Sequence, residues 1–525
     1  MPRGRGQDMP ERAARRIAEV IVANGPTGWT GAVLAATVSR GAVSLSGKYT
    51  VPGAGPWGGA MCNPFMELTA LAEALRADRG WESASAEMVC QPSGQYRLVA
   101  TTDAITSLRG RGGGFQAVFD PDHRPVRPGA TQEAGTAAPA GDPQLATAHF
   151  RQYMERREAV LGHAEQLPPP VTPDALDEAE RRIGGALPAD LRALYLIADG
   201  DSIEHEPRYL LGNYAWLPLK SLVSLHADWR RPAWFGWELG WDSVVFDTEP
   251  PETVRRCAGH PGWLPFASGE NGNYLAVDTA PARNGRPGQV IRMGRDYNDG
   301  PAYVTDSITS LLRHHLEALE EGDHELDDGY LDLPAPDPCR GPREIVGEIP
   351  GDVPPTLQAI HINDVESPVD LAPLAVSRSL RRLHMNRCAT ADLAPIRALP
   401  VESLRVTLDG GDLTPLEGHG HLASLGLGSS APVDIAALRT VPNLRAVDLA
   451  QADVRDLTVL ADLPGLRYLA LNARQWATVL DQGKAPRALA AARLADDDAP
   501  LDEALAWSAR LGLDHGDAFR AAGTV

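Results

Sequence analysis

Apolar residues in the stretch 180–200 recur with helical spacing, and the residues between them mark where each helix begins and ends. Leu191, Leu194, Tyr195 and Ala198 fall at i, i+3, i+4 and i+7, one buried stripe. Pro188 suits the first helical position, where its missing N–H would have no partner. Asp190 places a carboxylate at the positive end of the helix dipole, and Gly200 offers a left-handed stop. The pattern predicts a helical hairpin. Upstream, Ala13, Ile17, Val20 and Ile21 keep helical spacing, and 33–38 and 42–51 alternate like strands. Leu68, Leu71, Ala72 and Leu75 form one face of a helix over 65–76, followed by strand-like runs at 87–90, 96–100 and 115–119. Downstream, Ile308, Leu311, Leu312, His315, Leu316 and Leu319 form the apolar face of a helix capped by Asp306 or Ser307.

The chain has 525 residues, too many for one core, so several domains are expected. Residues 128–149 have few large apolar side chains and read as a linker. The acidic, proline-rich run 321–343 reads as a second one. These breaks leave a small α+β domain over 1–127, an α+β domain over 150–320, and a third part over 344–525.

That third part repeats. Asp370-Leu, Asp392-Leu, Asp412-Leu, Asp434-Ile and Asp456-Leu recur at intervals of 22, 20, 22 and 22 residues. After them come runs such as Leu422-x-x-Leu425-x-Leu427 and Leu466-x-x-Leu469-x-Leu471. The spacing resembles a leucine-rich repeat, in which each unit buries its leucines only by stacking on its neighbours. An α/β solenoid of about five repeats is expected, closed by a helical cap over 501–513. Cys388, Ser430, Ala452 and Arg474 stand where such repeats usually carry a bridging Asn.

The middle part resembles the SUKH superfamily, which joins a fungal cell-wall-synthesis regulator to many bacterial toxin-immunity proteins. The resemblance runs through Glu180, Ile183-Gly184, Leu187-Pro188, Leu191, Tyr195 and Asp199-Gly200. It continues at Trp216-Leu-Pro-Leu, Trp263-Leu-Pro-Phe266, Asn271-Gly-Asn-Tyr-Leu-Ala-Val-Asp278, Gly285-Arg-Pro-Gly-Gln-Val-Ile291 and the helix from Ser307. It implies a curved antiparallel sheet flanked by helices, a protein-binding role, and no catalytic residue to carry over.

The net charge is −20, which repels nucleic-acid phosphates and favours a basic partner. Five scattered cysteines without a CxxC pair point to neither a disulfide framework nor zinc, and fit a reducing cytoplasm. No signal peptide or membrane span is evident. Gly53-Ala-Gly-Pro-Trp-Gly58 matches GxGxxG, but it lacks the βαβ setting and distant acidic residue of a dinucleotide site. The pairs His314-His315 and His419-x-His421 lack carboxylates at metal-ligand spacing. No cofactor, metal or catalytic residue is therefore expected.

Two features suit a binding face. Trp234, Trp237 and Trp241 place three indoles in eight residues, and aromatic anchors dominate interface hot spots. Asp199, Asp201, Glu204 and Glu206 form an acidic loop after the second helix, and Asp278 closes a strand. Complementary charge there would speed encounter with a basic groove. The expected function is a non-enzymatic, cytoplasmic immunity protein that neutralises a basic toxin domain such as a nuclease. The alternative is a housekeeping regulatory scaffold for cell-wall synthesis or signalling. Behind both stands an enzyme with an unrecognised site near the N-terminal glycine loop.

Overall fold

In a computed structural model, the described residues are 8–39, 42–53, 59, 61–102, 105–107, 113–120, 123, 128–202, 206–229, 244–269, 271–297, 299–327, 330–334, 336, 343–366, 368–410, 412–496, 499–513 and 518–525. The first body is an antiparallel sheet in the order Ala42–Thr50, Gly31–Ser39, Ser83–Cys90, Gln95–Thr101, Phe519–Thr524. The helices Asp8–Ala23 and Phe65–Arg79 cover it, with Ile17, Ile21, Leu68, Leu71 and Leu75 buried against Leu34, Met88 and Leu98. The expected boundary at 127 does not isolate this unit. Its last strand comes from the far end of the chain, and Phe519 and Ala521 belong to its core. Nothing local marks residues 519–524 as the partner of a strand more than 400 positions earlier; the pairing Phe519 to Ala100 is a purely tertiary match.

The middle body is also an antiparallel sheet, ordered Ala302–Thr305, Gln289–Gly294, Asn273–Asp278, Trp263–Ser268, Ala215–Trp216. Three of its flanking helices carry clear local start or stop signals. Asp142 accepts hydrogen bonds from Gln144 N and Leu145 N at 2.8 and 2.9 Å and opens Pro143–Leu161. Thr172 opens Pro173–Ile183, and Gly184, at φ +85°, closes it in the left-handed region. The second helix of the expected hairpin is shorter than its stripe suggested, covering Ala189–Tyr195 only. Ser307, not Asp306, accepts from Ser310 N at 3.1 Å and caps Ile308–Glu321. Leu191, Leu194, Tyr195, Leu264, Phe266, Val277, Leu311 and Leu312 share one core.

The third body's sheet has ten strands among the described residues. Eight run parallel in chain order: Glu344–Val346, Ala359–Asn363, Arg382–Asn386, Ser403–Leu408, Ser424–Ser429, Ala446–Gln451, Tyr468–Leu471 and Ala491–Leu494. Five Asp-Leu/Ile signatures thus undercount the strands, because the units at either end lack that dipeptide. The recurring aspartate has a plain physical task. Asp370, Asp392, Asp412, Asp434 and Asp456 each accept from the backbone N–H two residues on, at 2.7–2.9 Å. Each thereby opens a 3₁₀ turn whose leucine or isoleucine is buried. Where a bridging Asn is missing, shorter donors reach the preceding unit: Cys388 Sγ lies 3.5 Å from Ile362 O, and Ser430 Oγ lies 3.3 Å from Leu408 O.

The last two strands of that sheet, Phe115–Val118 and Ile105–Ser107, come from the N-terminal part and pair antiparallel beyond Ala491–Leu494. The helix Leu501–Arg510, shorter than the cap expected over 501–513, lies between the two N- and C-terminal sheets. Glu87 Oε1 accepts from Leu501 N at 3.2 Å, and Arg97 pairs with Asp502 at 2.5 Å. Both expected linkers carry structure. In the first, Gly129 N donates to Arg256 O at 3.0 Å, Ala134 bridges Ala282, and a helix already begins at Pro143. In the second, Glu325–Asp327 and Tyr330–Asp332 form a hairpin.

Phe519 is 5% exposed within the first core. Phe519→Ala should cost about 3–5 kcal/mol and loosen the strand that closes the first sheet. Calorimetry should show this as an earlier melting transition; an unchanged melt would mean that the C-terminal strand contributes nothing.

Candidate functional site

The acidic loop that follows Ala189–Tyr195 is built mostly inward. Asp199 is half-buried, and its Oδ1 accepts from Leu219 N at 2.7 Å, at the start of the helix Leu219–Trp229. Asp201 is fully buried: its Oδ2 accepts from Leu210 N at 3.0 Å and Trp216 N at 2.9 Å. Burial raises its pKa, and the N–H donors hold it down only in part. Asp201 staples the loop 201–216 and offers nothing to a partner, which corrects its assignment to a binding face. Glu206 remains exposed. Glu204 and the three tryptophans Trp234, Trp237 and Trp241 lie outside the described residues.

Asp278 is likewise internal, so its assignment to a binding face is also corrected. Its Oδ1 accepts from Ala280 N and its Oδ2 from Gln289 Nε2, both at 2.9 Å. Gln289 Nε2 also donates to Thr253 O at 2.9 Å, and Gln289 Oε1 accepts from Arg286 N at 3.0 Å. This pair ties the sheet to the segment 247–256, which makes the contact with the third body.

Sequence reasoning missed that contact. Asp247 N donates to Gln358 Oε1 at 2.7 Å, and Gln358 Nε2 returns a bond to Asp247 O at 2.9 Å. Glu402 Oε1 accepts from Arg256 at 2.6 Å and Arg381 at 3.0 Å. Arg382 pairs with Asp299 at 2.5 Å and lies over the Phe246 ring, 5.2 Å from its centroid. Charged residues in sequence read as solvated, and no local periodicity shows that Arg256 and Glu402 meet.

A second buried ionic group sits at the helical end of the middle body. Arg157 and Glu165 form a two-point pair at 2.6 and 2.8 Å, with Tyr153 Oη accepting from Arg157 at 3.2 Å. His315, on the apolar face of its helix, is buried beside Tyr153; burial above all, with His314 and Arg157, pushes it down to about 3. It is a neutral core histidine. Among the described residues no group of three His, Cys, Asp or Glu side chains could hold a metal ion, and no helix is long and apolar enough to cross a membrane.

Residues 170–314 match the model of the SMI1 / KNR4 family (SUKH-1). This segment is an SMI1/KNR4 domain. It is similar to the cell wall biosynthesis/cell cycle regulator smi1 of Schizosaccharomyces pombe, 33% identical over 154 residues, covering 28% of this chain and 30% of that protein. It is also similar to a glucan synthesis regulatory protein of Neurospora crassa, 27% identical over 198 residues, 32% of this chain and 37% of that protein. The cell wall assembly regulator SMI1 of Saccharomyces cerevisiae is 34% identical over 79 residues, 15% of either chain. The chain thus spans little more than a third of the length of these curated relatives at most. Among solved structures, an internalin (inlF) of Listeria monocytogenes covers 22% of this chain and 35% of its own at 20% identity, with a TM-score of 0.20. The relatives' names describe regulators of the cell wall and not immunity proteins.

Within the SMI1/KNR4 domain, burial chiefly raises the Asp278 pKa from 3.8 to about 7. A carboxyl whose pKa is raised by folding favours the protonated folded state. Its contribution to stability is therefore complete below about pH 4 and is lost as pH rises to about 7. Asp278→Asn, which cannot ionise, should remove that part of the pH dependence, seen as a flatter plot of urea midpoint against pH. An unchanged slope would show that Asp278 is ionised throughout.

Proposed function

We propose that this chain is a non-enzymatic regulatory scaffold that binds protein partners through its SMI1/KNR4 domain, serving cell-wall synthesis or signalling. The observation that carries this reading is the match of residues 170–314 to a family whose similar members are named as cell-wall regulators. The inward use of Asp201 and Asp278 adds support, since these carboxylates hold loops and are closed to substrate. The toxin-neutralising reading has no support in those names. We further read the third body as leucine-rich repeats stacked into a solenoid. The regular spacing, the parallel strands and the aspartate-opened 3₁₀ turns favour that assignment. In this reading the repeats hold the SMI1/KNR4 domain in one orientation through Arg256, Glu402 and Gln358.

The test is affinity capture of the full chain from unstressed cells that lack any toxin gene, followed by reconstitution with the purified partner. A partner recovered near stoichiometry, binding at about 1 μM or tighter, is the expected result. A partner seen only when a toxin is co-expressed would restore the immunity reading; no partner under either condition would refute a binding role.

A further inference from the structure

The hairpin Glu325–Asp327 and Tyr330–Asp332 lies beyond the segment matched to the SMI1/KNR4 family. Its inner face is anchored. Leu331 is buried and, with Leu333, packs on Tyr153, Ala318 and Leu319 of the two long helices. Leu326 stands directly opposite Leu331 and shares that inner face at its exposed margin. The outer face is the unusual one: it carries Tyr330, a large ring that is 57% exposed. The Tyr330 ring meets Tyr209 edge-on, with centroids 5.8 Å apart and planes at 63°.

Charge surrounds this aromatic pair. Glu325 stands directly across the strand pair from Asp332, and both are exposed. Like charges placed opposite each other destabilise a strand pair. Among the described residues neither carboxylate has a cationic partner. Glu206 is exposed on the loop that carries Tyr209, and Glu321 and Asp323 are exposed where the preceding helix ends. Arg156 pairs with Glu320 on the adjoining helices at 3.8 Å, exposed at both ends. A hairpin held from below thus presents an electron-rich ring edge-stacked on a second ring, beside two opposed carboxylates that repel each other.

We infer that this face docks an arginine-bearing segment of a partner protein. A guanidinium gains on both counts. It stacks on tyrosine by cation–π attraction, and it donates to carboxylates in a planar fork, relieving the Glu325–Asp332 repulsion. The surface deepens the scaffold reading and rests on it, while placing one contact outside the family domain.

The test uses the full chain and two fluorescent peptides, one of arginine and glycine, the other of glutamate and glycine, read by anisotropy at low and physiological salt. The arginine peptide should bind, and more weakly as salt rises; the glutamate peptide should not. The double variant Glu325→Gln/Asp332→Asn should weaken binding about fivefold. Tyr330→Ala should weaken it by a similar factor, while Tyr330→Phe, which keeps the ring, should retain it. Glu366→Gln, an exposed carboxylate on the third body, should change nothing. Equal melting temperatures would exclude unfolding of the variants. No arginine-peptide binding at low salt, or equal weakening by Glu366→Gln, would overturn the proposal. A cellular partner retained undiminished by the double variant would also overturn it, yet leave the scaffold reading standing; failure to capture any partner would remove that reading instead.

Discussion

An open parallel sheet must do something about the backbone groups at its ends, and this chain covers one end with residues from its own beginning. Ala491–Leu494 would otherwise present an unpaired edge, a template for unwanted pairing with another chain. Phe115–Val118 runs antiparallel along it, and Ile105–Ser107 extends the sheet once more. In exchange, Phe519–Thr524 completes the N-terminal sheet beside Gln95–Thr101. The two bodies therefore trade strands. Neither the first sheet nor the third is complete without the other, and Glu87 and Asp502 fasten the helix between them. Long closures of this kind cost little more than short ones at equilibrium, since each doubling of loop length adds only about 0.6 kcal/mol. Their cost falls on the rate of folding, which slows as contacts become more distant in sequence.

The SMI1/KNR4 domain joins this closed pair by different physics. Its contact with the third body joins a small apolar cluster of Val244, Phe246 and Ala359 to two guanidinium groups sharing the Glu402 carboxylate and a reciprocal amide–backbone pair at Asp247 and Gln358. A buried ion cluster adds little stability over well-packed apolar groups, because desolvation offsets most of the attraction. Its directional bonds do restrict how the two surfaces can meet. Removing Glu402 would leave Arg256 and Arg381 facing each other with their shared counter-charge gone, so the contact tolerates one register well and shifted ones poorly.

Much of this fold was legible because its signals are local. The helical stripe needed only neighbouring residues, as did the Asp-Leu/Ile period of the third part. The units without that signature, 344–346 and 359–363, could be counted only once their strands were seen in register. What stayed hidden is long-range. Residues 519–524 carry no mark of the strand they join. The linker stretches 128–149 and 321–343 have the composition of loose chain, yet described residues in both are held by surfaces outside themselves: Arg255 holds Gly129 O and Gln132 O, and Tyr153 and Leu319 receive Leu331. Composition measures how much a segment can bury on its own, so it misses burial supplied by a neighbour.

The candidate site shows the same limit for charge. Asp199, Asp201 and Glu206 lie within eight residues and looked alike in sequence, yet each meets a different environment. Asp199 faces the free N–H groups at the start of a helix and becomes a cap. Asp201 faces two backbone donors, Leu210 N and Trp216 N, and folding draws it inside. Glu206 meets neither arrangement and stays at the surface. The sorting rule is whether unsatisfied donors lie within reach, because a carboxylate leaves water only where hydrogen bonds replace those it loses. By that rule a net charge of −20 overstates the acidity offered to a partner, since buried carboxylates such as Asp201, Glu165 and Asp278 are already engaged within the chain. What remains for recognition is the smaller set of exposed carboxylates with no internal donor, and position, more than number, decides which of them can act together.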